Sequence, residues 1–373
     1  MNMKKPVAAL FTINENNELV VSCRGLGGES YFEFAVPPSY TPSDRMPELS
    51  YSQWVTNIET AAGRGEITRE LASKVLHSLD RLPDLADGQK VCVSFSNGKD
   101  SEFIFILAAM RYPREDIMAL FADTKDEWPE TYAFQPIFER WIGVPITTLE
   151  SIGIHQLLRE RMPFWPKMGT RHCTKNLKLL PQRDFLDAHG FDQVRGNGKP
   201  KFRPTYGMDH LSKEERKAFL DSKPTAFPID VRHPAPLMLS GERWAESDSR
   251  SKLPYEEKNE TIMRITQRPA LEMTIEEVWE LLFWMRAPYN PVYHVVKRCA
   301  CAGCPFASRR EIETLGEYHP EILEEWVTTE AAIGYPWRKI GFKTILHELV
   351  RTRRLGKLFG LKVGDPLDRK LGA

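Results

Sequence analysis

A chain of 373 residues is too long for one simple core and points to two or three structural units. Hydrophobic residues make up 42% and charged residues 27%, the balance of a globular protein in water. Lys and Arg (51) equal Asp and Glu (51), so any contact with nucleic acid has to come from local patches. Two such patches exist: residues 166–203 carry nine Lys/Arg against three Asp, and residues 338–373 carry ten against three Asp/Glu. No apolar run approaches the ~20 residues of a membrane span, and Met1 to Pro6 lead into no signal-peptide core. The expected compartment is the cytoplasm, with no membrane partner.

Taken in chain order, residues 6–36 alternate in β fashion through Val7–Ile13, Glu18–Cys23 and Tyr31–Val36, with turns at 14–17 and 25–28. A small antiparallel sheet is expected there. A proline-rich linker follows (37–42), then a helical stretch over 50–82, and Asp87-Gly88 restarts the chain.

From 90 to 150 the pattern is β-α-β-α-β, with strands at 90–95, 117–122 and 144–149 and helices at 101–111 and 129–141. Such alternation predicts a doubly wound, mostly parallel α/β sheet, which binds ligands at the carboxyl ends of its strands. The first of these edges is the informative one. Val91 to Phe95 is a buried-strand run, Ser96-Asn97-Gly98 is a small-residue turn, and Phe103 to Met110 is apolar and helical. A strand, tight turn and helix start aim unpaired backbone N–H groups and a helix dipole at whatever lies above them. Lys99 adds a point charge, and Ser94, Ser96 and Ser101 add hydroxyls. A phosphate chain is the natural guest, and an ordinary βα turn capped by serines is the alternative. This is not a Walker A loop, because its first glycine is absent and Asp100 follows the lysine. Asn97 tolerates the left-handed backbone that the turn requires.

The second edge reads Asp123-Thr124-Lys125-Asp126-Glu127-Trp128-Pro129-Glu130-Thr131. Pro129 suits a first helical position, and Asp123 is placed either to reach a nucleotide and its magnesium or to be part of an acidic helix start. Further on, Cys173 opens a helix among Arg171, His172, Lys175 and Lys178, a setting expected to favour the thiolate. Residues 191–234 are polar and proline-containing and read as an insertion. They precede a strand at 235–239 and then Gly241, Arg243 and Arg250, whose guanidinium groups suit oxyanions. Thr274 with Glu277 forms a capping box for a helix reaching about residue 286. That helix and the Asn290-Pro291-Val292-Tyr293 run after it are expected to be scaffold.

Cys299, Cys301 and Cys304 follow at C-x-C-x2-C spacing, which favours metal over disulfide. A closed zinc site or a [4Fe–4S] cluster needs four ligands. Of the other cysteines, Cys92 lies inside a strand and Cys23 in the N-terminal sheet. Cys173 is therefore the expected fourth ligand, giving the set Cys173, Cys299, Cys301 and Cys304.

Several of these runs also carry a resemblance. Ser96-Asn97-Gly98-Lys99-Asp100-Ser101 resembles the S-G-G-K-D-S pyrophosphate loop of the N-type ATP pyrophosphatases, with Asn97 in place of its first glycine. The 123–131 run resembles the D-T-x-x-E-x-P-E-T motif of the phosphoadenosine phosphosulfate (PAPS) reductase family, and Arg171 to Pro181 resembles that family's R-x-C-T-x-x-L-K-x-x-P segment. Gly241 to Arg250 is similar to its G-x-R-x-x-E-S-x-x-R motif, whose arginines face phosphate or sulfate. The 299–307 run with His319-Pro320 and Trp326 is similar to archaeal and phage members.

The resemblance covers about 90–190 and 235–335. It implies an adenine nucleotide alpha hydrolase-like fold with a small N-terminal β/α unit and a helical C-terminal region. The expected division is 1–85, 86–260 with the insertion, and 261–373. It further implies ATP and Mg2+ as ligands, with Lys99, Asp100 and Asp123 catalytic and Ser94, Ser96, Asn97, Gly98, Lys99, Ser101, Gly241, Arg243 and Arg250 around the nucleotide.

The thiol tail of thioredoxin-dependent PAPS reductases has no counterpart after Cys304. The chain looks most like branches that pair the ATP loop with an iron–sulfur cluster and thiolate nucleic acid, such as the ATP-pyrophosphatase subunit of DNA phosphorothioation systems. A cysteine desulfurase or other sulfur donor is the implied partner, and a homodimer stays open. A sulfonucleotide reductase, a small-molecule ATP pyrophosphatase and a non-catalytic nucleotide binder with structural zinc are the alternatives.

Overall fold

The computed structural model describes residues 8–13, 19–24, 30–36, 41–167, 169–194, 212, 214, 233–294, 296–339 and 341–351, with the backbone alone for the first three stretches and for 350–351. Most of the 191–234 insertion and most of the basic 338–373 stretch lie outside the described residues. The chain forms two compact units. The first comprises Met1–Ala122, Pro129–Leu149 and Leu179–Cys299, and the second comprises Asp123–Trp128, Glu150–Lys178 and Ala300–Ala373.

In the first unit, β1 (Ala8–Ile13), β2 (Leu19–Arg24) and β3 (Ser30–Val36) make the expected antiparallel sheet in the order β1-β2-β3. The helical stretch expected at 50–82 is two helices, α1 (Tyr51–Arg64) and α2 (Arg69–Arg81). They part at Gly65, whose φ of 72° closes α1 with a left-handed cap. Thr68 then caps α2 by accepting from the Leu71 N–H.

The main sheet holds β4 (Val91–Phe95), β5 (Ile117–Ala122), β6 (Ile146–Leu149), β7 (Leu237–Leu239), β8 (Glu256–Asn259) and β9 (Arg264–Gln267). Its order is β6-β5-β4-β7-β9-β8, parallel throughout except for the edge strand β8. The mostly parallel α/β class expected from the sequence is therefore the observed one. The β8–β9 hairpin was not expected from the sequence. Glu256-Glu-Lys-Asn259 lacks apolar alternation, as exposed edge strands often do.

Successive residues of β4 feed opposite faces. Val91, Val93 and Phe95 join one large core, whereas Cys92 packs with Leu120, Leu149, Leu186 and Met238 in a second. The sheet is thus covered on both sides, as a parallel sheet must be. Helix α3 (Lys99–Arg111) runs from the end of β4 and is buried on every side from Phe103 to Met110, which is why its sequence shows no polar stripe. Phe138 of α4 (Pro129–Ile142) stacks on Phe95 at 5.1 Å, and Phe105 meets Phe95 edge-on at 5.6 Å. These rings lock the end of β4 to both helices. Helices α5 (Leu180–Ala188) and α6 (Ile275–Trp284) complete the unit, the latter with both hydrogen bonds of the Thr274–Glu277 capping box in place.

The second unit is helical. A short turn at Ile154–Gln156 passes into a π-helical turn at Leu157–Arg161, and another pair spans His172–Thr174 and Lys175–Leu179. Helices α7 (Arg309–Tyr318), α8 (Pro320–Ile333) and α9 (Phe342–Arg351) follow. Trp326, Trp337 and Phe342 are fully buried and stacked at its centre. Among the described residues no helix is long and apolar enough to cross a membrane.

Candidate functional site

In the first unit the connections leave β4 in opposite directions, to β5 on one side and β7 on the other. Crevices form at the carboxyl ends of strands where the order reverses in this way. The turn after β4 carries Ser96 to Ser101, and the segment after β7 carries Gly241 and Arg243.

Those two segments meet. Arg243 is 5% exposed, and its Nε donates to Asp100 Oδ1 at 2.6 Å. Lys99 Nζ donates to the other carboxylate oxygen of Asp100 at 2.8 Å. Burial alone would raise the Asp100 carboxyl, but the Arg243 and Lys99 charges outweigh it and hold the group at about 2. The close approach depends on Gly241, because a Cβ there would lie 2.8 Å from the backbone oxygen of Asp100. Glu246 pairs with Arg250 and also lies 3.9 Å from Arg243 Nε.

The loop differs from the expectation of unpaired amides and a free lysine. Ser101 Oγ accepts from the N–H of Ser96 (3.1 Å) and of Gly98 (3.3 Å) while donating to Gly98 O at 2.7 Å. Lys99 is buried, and its own N–H donates to the Tyr293 hydroxyl at 2.9 Å. The loop is therefore held in shape by its own hydroxyls and by Tyr293. Asn97 has the left-handed backbone anticipated for it, with φ 56°. Its side chain donates to Gln135 Oε1 at 3.1 Å, and its Oδ1 is buried without a hydrogen-bond partner. Ser94 faces elsewhere, donating to Gln182 of α5 at 2.7 Å.

Sequence reasoning missed three contributors. Asn290 Nδ2 donates to Asn97 O at 2.9 Å, and Tyr293 takes the Lys99 N–H, so the run expected to be scaffold touches the loop itself. Glu102, in the first turn of α3, is fully buried with neither carboxylate oxygen hydrogen-bonded. Burial pushes its pKa well above the usual carboxylate range, against the pull of Lys99. Asn290 and Tyr293 had only their helix-ending Asn-Pro context as a signal, and Glu102 had none beyond being a charge in an apolar helix.

In the second unit, Cys301 and Cys304 lie in a turn closed by the Cys304 N–H donating to Cys301 O at 3.1 Å. Asp126 organises this turn. Its side chain accepts from the Gly303 N–H (3.1 Å) and Trp326 Nε1 (3.0 Å), and its backbone oxygen accepts from the Ala302 N–H at 2.6 Å. Gly303 has no substitute here, since a Cβ would fall 1.7 Å from Trp326 Nε1. Thr124 Oγ1 lies 3.3 Å from Cys301 Sγ, and the buried Glu127 carboxyl lies 3.9 Å from it. Burial, then Glu127, raises the Cys301 thiol well above its ordinary value.

Cys173 belongs to the same unit. Its expected lowering by basic neighbours is reversed: burial dominates and raises the thiol, and of the four neighbours named only Lys178 pulls the other way. Asp123 directly follows β5 in sequence, and its Oδ1 accepts from the Lys125 N–H at 2.8 Å. Cys299 is the exception among the cysteines. It lies in the first unit, with Sγ 3.6 Å from Asn97 O and 3.5 Å from Asn290 Nδ2. Among the described residues, no three His, Cys, Asp or Glu side chains stand in metal-binding geometry.

Comparison with known proteins adds a family signal. Residues 227–319, which include Gly241, Arg243 and the three clustered cysteines, match the phosphoadenosine phosphosulfate reductase domain. An uncharacterized protein of Methanocaldococcus jannaschii is 25% identical over 259 residues, covering 67% of this chain and 45% of its own length. An uncharacterized nin region protein of Escherichia phage lambda is 24% identical over 153 residues, covering 32% of this chain and 53% of its own length. The chain thus spans about half the length of the curated relatives it matches.

Among solved structures, a PAPS reductase from Candida auris aligns with TM-score 0.32 and 13% identity over 58% of this chain and 88% of that one. An FMN adenylyltransferase from Candida glabrata aligns with TM-score 0.32 and 10% identity over 63% of this chain and 65% of that one. Both likenesses are remote.

Proposed function

We propose that the chain is an ATP-dependent sulfur-transfer enzyme of the PAPS reductase-like kind that acts on nucleic acid. The observation that carries the nucleotide part is the Lys99–Asp100–Arg243 cluster, assembled from two sheet edges at the reversal of strand order. Two cations and a helix N-terminus concentrate positive potential where a triphosphate would lie. The phosphates compete with Asp100 for Lys99 and Arg243, and the donors of Ser96, Gly98 and Ser101 reach them by leaving their mutual hydrogen bonds. Asp100, released as the phosphates take its two cations, is then the carboxylate beside the loop available to the magnesium of Mg–ATP. A substrate oxygen attacks the α-phosphorus and pyrophosphate leaves; hydrosulfide, released when an external dithiol reduces the persulfide of a donor such as a cysteine desulfurase and is itself oxidised to the disulfide, then displaces AMP.

The second unit holds three thiols, and a four-ligand metal group there would take its remaining position from another donor. Cys173, Cys301 and Cys304 are the residues that would hold it. An iron–sulfur cluster there would supply sulfur-handling chemistry, whereas zinc would supply only structure.

The test is an anaerobic preparation assayed for iron, zinc and acid-labile sulfide, with an absorption spectrum and an ATP–pyrophosphate exchange assay. Iron, sulfide and exchange are expected together. Zinc without exchange overturns the enzyme reading.

A further inference from the structure

The C-x-C-x2-C spacing groups Cys299 with the metal-binding thiols, but its surroundings assign it another task. We propose that Cys299 is a positioning residue of the nucleotide loop and not a ligand of the group held by Cys173, Cys301 and Cys304. The inference rests on the nucleotide reading above and deepens it.

Cys299 Sγ stands 3.6 Å from the carbonyl oxygen of Asn97 and 3.8 Å from that of Ser96. Both oxygens are acceptors, so the sulfur facing them serves as an S–H donor. Those contacts tie the sulfur to the loop backbone of its own unit. On its other side Cys299 accepts from Asn290 Nδ2 at 3.5 Å, with Thr131 Oγ1 3.8 Å away. Asn290 is fully buried and also donates to Asn97 O at 2.9 Å. The thiol and the amide thus grip the same peptide group.

That grip has a consequence for ligand binding. In a planar trans peptide the C=O and the following N–H point in opposite directions. Holding the carbonyls of Ser96 and Asn97 towards Cys299 therefore turns the N–H groups of Asn97 and Gly98 away from it. The Gly98 N–H meets Ser101 Oγ at 3.3 Å, so the grip on the carbonyls fixes the arrangement of loop amides and hydroxyls that a phosphate would meet. The fit is close, since a Cβ on Gly98 would come within 3.3 Å of Cys299 Cβ. Cys299 sets the direction of the loop amides, and Asn97, with φ 56°, is where the turn has the least intrinsic preference for staying put.

The test compares Cys299→Ala, Cys299→Ser and Cys301→Ala in the full chain. Each is measured for bound iron and zinc, for Mg–ATP affinity by calorimetry, for KM and kcat of pyrophosphate release, and for thermal midpoint. Cys299→Ala is expected to keep the wild-type metal content and to stay folded, with a modestly lowered thermal midpoint. Its Mg–ATP affinity should weaken about tenfold, the worth of one or two lost hydrogen bonds, with KM rising and kcat preserved. Cys299→Ser retains a donor and should recover part of that affinity. Cys301→Ala is expected to lose metal.

Metal loss in Cys299→Ala equal to that in Cys301→Ala overturns the proposal. So does a Cys299→Ala protein that holds metal and binds Mg–ATP as tightly as wild type. Wild-type protein without Mg–ATP binding overturns the nucleotide reading and this inference together. Wild-type protein that binds Mg–ATP but holds no metal removes only the metal reading, and the affinity comparison still decides the role of Cys299.

Discussion

Asp100 and Arg243 are 143 residues apart in sequence, and their side chains meet at 2.6 Å. With Lys99 on the other carboxylate oxygen, the trio ties the helix start after β4 to the segment after β7. The depressed Asp100 pKa, about 2, makes this tie a source of stability. That contribution is present in full above the ordinary carboxylate range near pH 4 and is lost as pH falls through 2. It amounts to about 2 kcal/mol at neutral pH. Asp100→Asn should therefore lower stability at pH 7 by at least that amount, because Lys99 and Arg243 are left buried without a counter-charge. The loss should vanish near pH 2. Urea unfolding of both proteins across this range checks it, and an equal difference at pH 7 and pH 2 would contradict the assignment.

Lys99 is the cation closest in sequence to the loop glycine and stands beside Asp100, which keeps Arg243 if Lys99 is removed. Lys99→Ala should thus retain the fold while reducing pyrophosphate release by about 100-fold or more, the scale of losing one preorganised donor to a developing charge. Circular dichroism and a pyrophosphate assay measure the two effects separately. Wild-type turnover in the variant would remove the loop from the catalytic site.

Glu102 offers a pH signature of opposite sign. Its folded pKa is raised by burial, so the unfolded chain loses a proton to solvent that the folded chain retains. Stability then declines as pH rises above the unfolded carboxylate pKa, by up to about 1.4 kcal/mol per pH unit until the folded pKa is reached. Glu102→Gln fits the same space and carries no such penalty. It should raise the thermal midpoint at pH 7 and flatten the decline with pH. A lowered midpoint at pH 7 would mean that the carboxylate is ionised and stabilising.

The parts of the fold that could be read from sequence were those encoded locally. Val91 to Phe95 declares a buried strand, Phe103 to Met110 a buried helix, and Thr274 with Glu277 a cap whose two hydrogen bonds are both present. What escaped was set by tertiary packing. Glu256–Asn259 forms an edge strand without apolar alternation. Tyr293 is an aromatic in a helix-ending run until the fold brings its hydroxyl to the Lys99 N–H. Basic neighbours in sequence argued for a low Cys173 thiol pKa, but burial in the folded chain outweighs them. Spacing counts residues between cysteines and cannot say that Cys299 donates to a loop carbonyl while Cys301 lies beside Thr124 and Glu127.

Gly241 gives a steric test of the same tie. A Cβ at this position would stand 2.8 Å from Asp100 O and 2.9 Å from Asp100 C, both backbone atoms at the start of α3. Neither can move without displacing Lys99 and Ser101. Gly241→Ala should cost about 1–3 kcal/mol, the usual price of overpacking, and should also abolish Mg–ATP binding measured by calorimetry. Gly169→Ala, where a Cβ meets nothing within 4 Å, is the control expected to change neither. A Gly241→Ala protein with wild-type nucleotide affinity would separate the β7 edge from the nucleotide site.

The nucleic-acid part of the proposal has its own signature in salt. Lys167, Arg171 and Lys175 are exposed and fall within the basic stretch around Cys173. If they neutralise backbone phosphates, binding releases counterions, and log affinity falls linearly with log salt concentration. Each phosphate contact adds about 0.7 to the slope for a single strand and about 0.9 for a duplex. Replacing all three residues by Ala should therefore reduce the slope by about 2 to 3 and weaken binding to all sequences alike, since phosphate contacts carry no base information. The measurement is fluorescence anisotropy with labelled single-stranded and duplex oligonucleotides from 50 to 300 mM salt, roughly the range over which such losses reach several orders of magnitude. Cys173 and its thiol partners are untouched by these changes, so metal content serves as the control for folding. Affinity that is flat across the salt series in the wild-type protein would direct the search to a small-molecule acceptor.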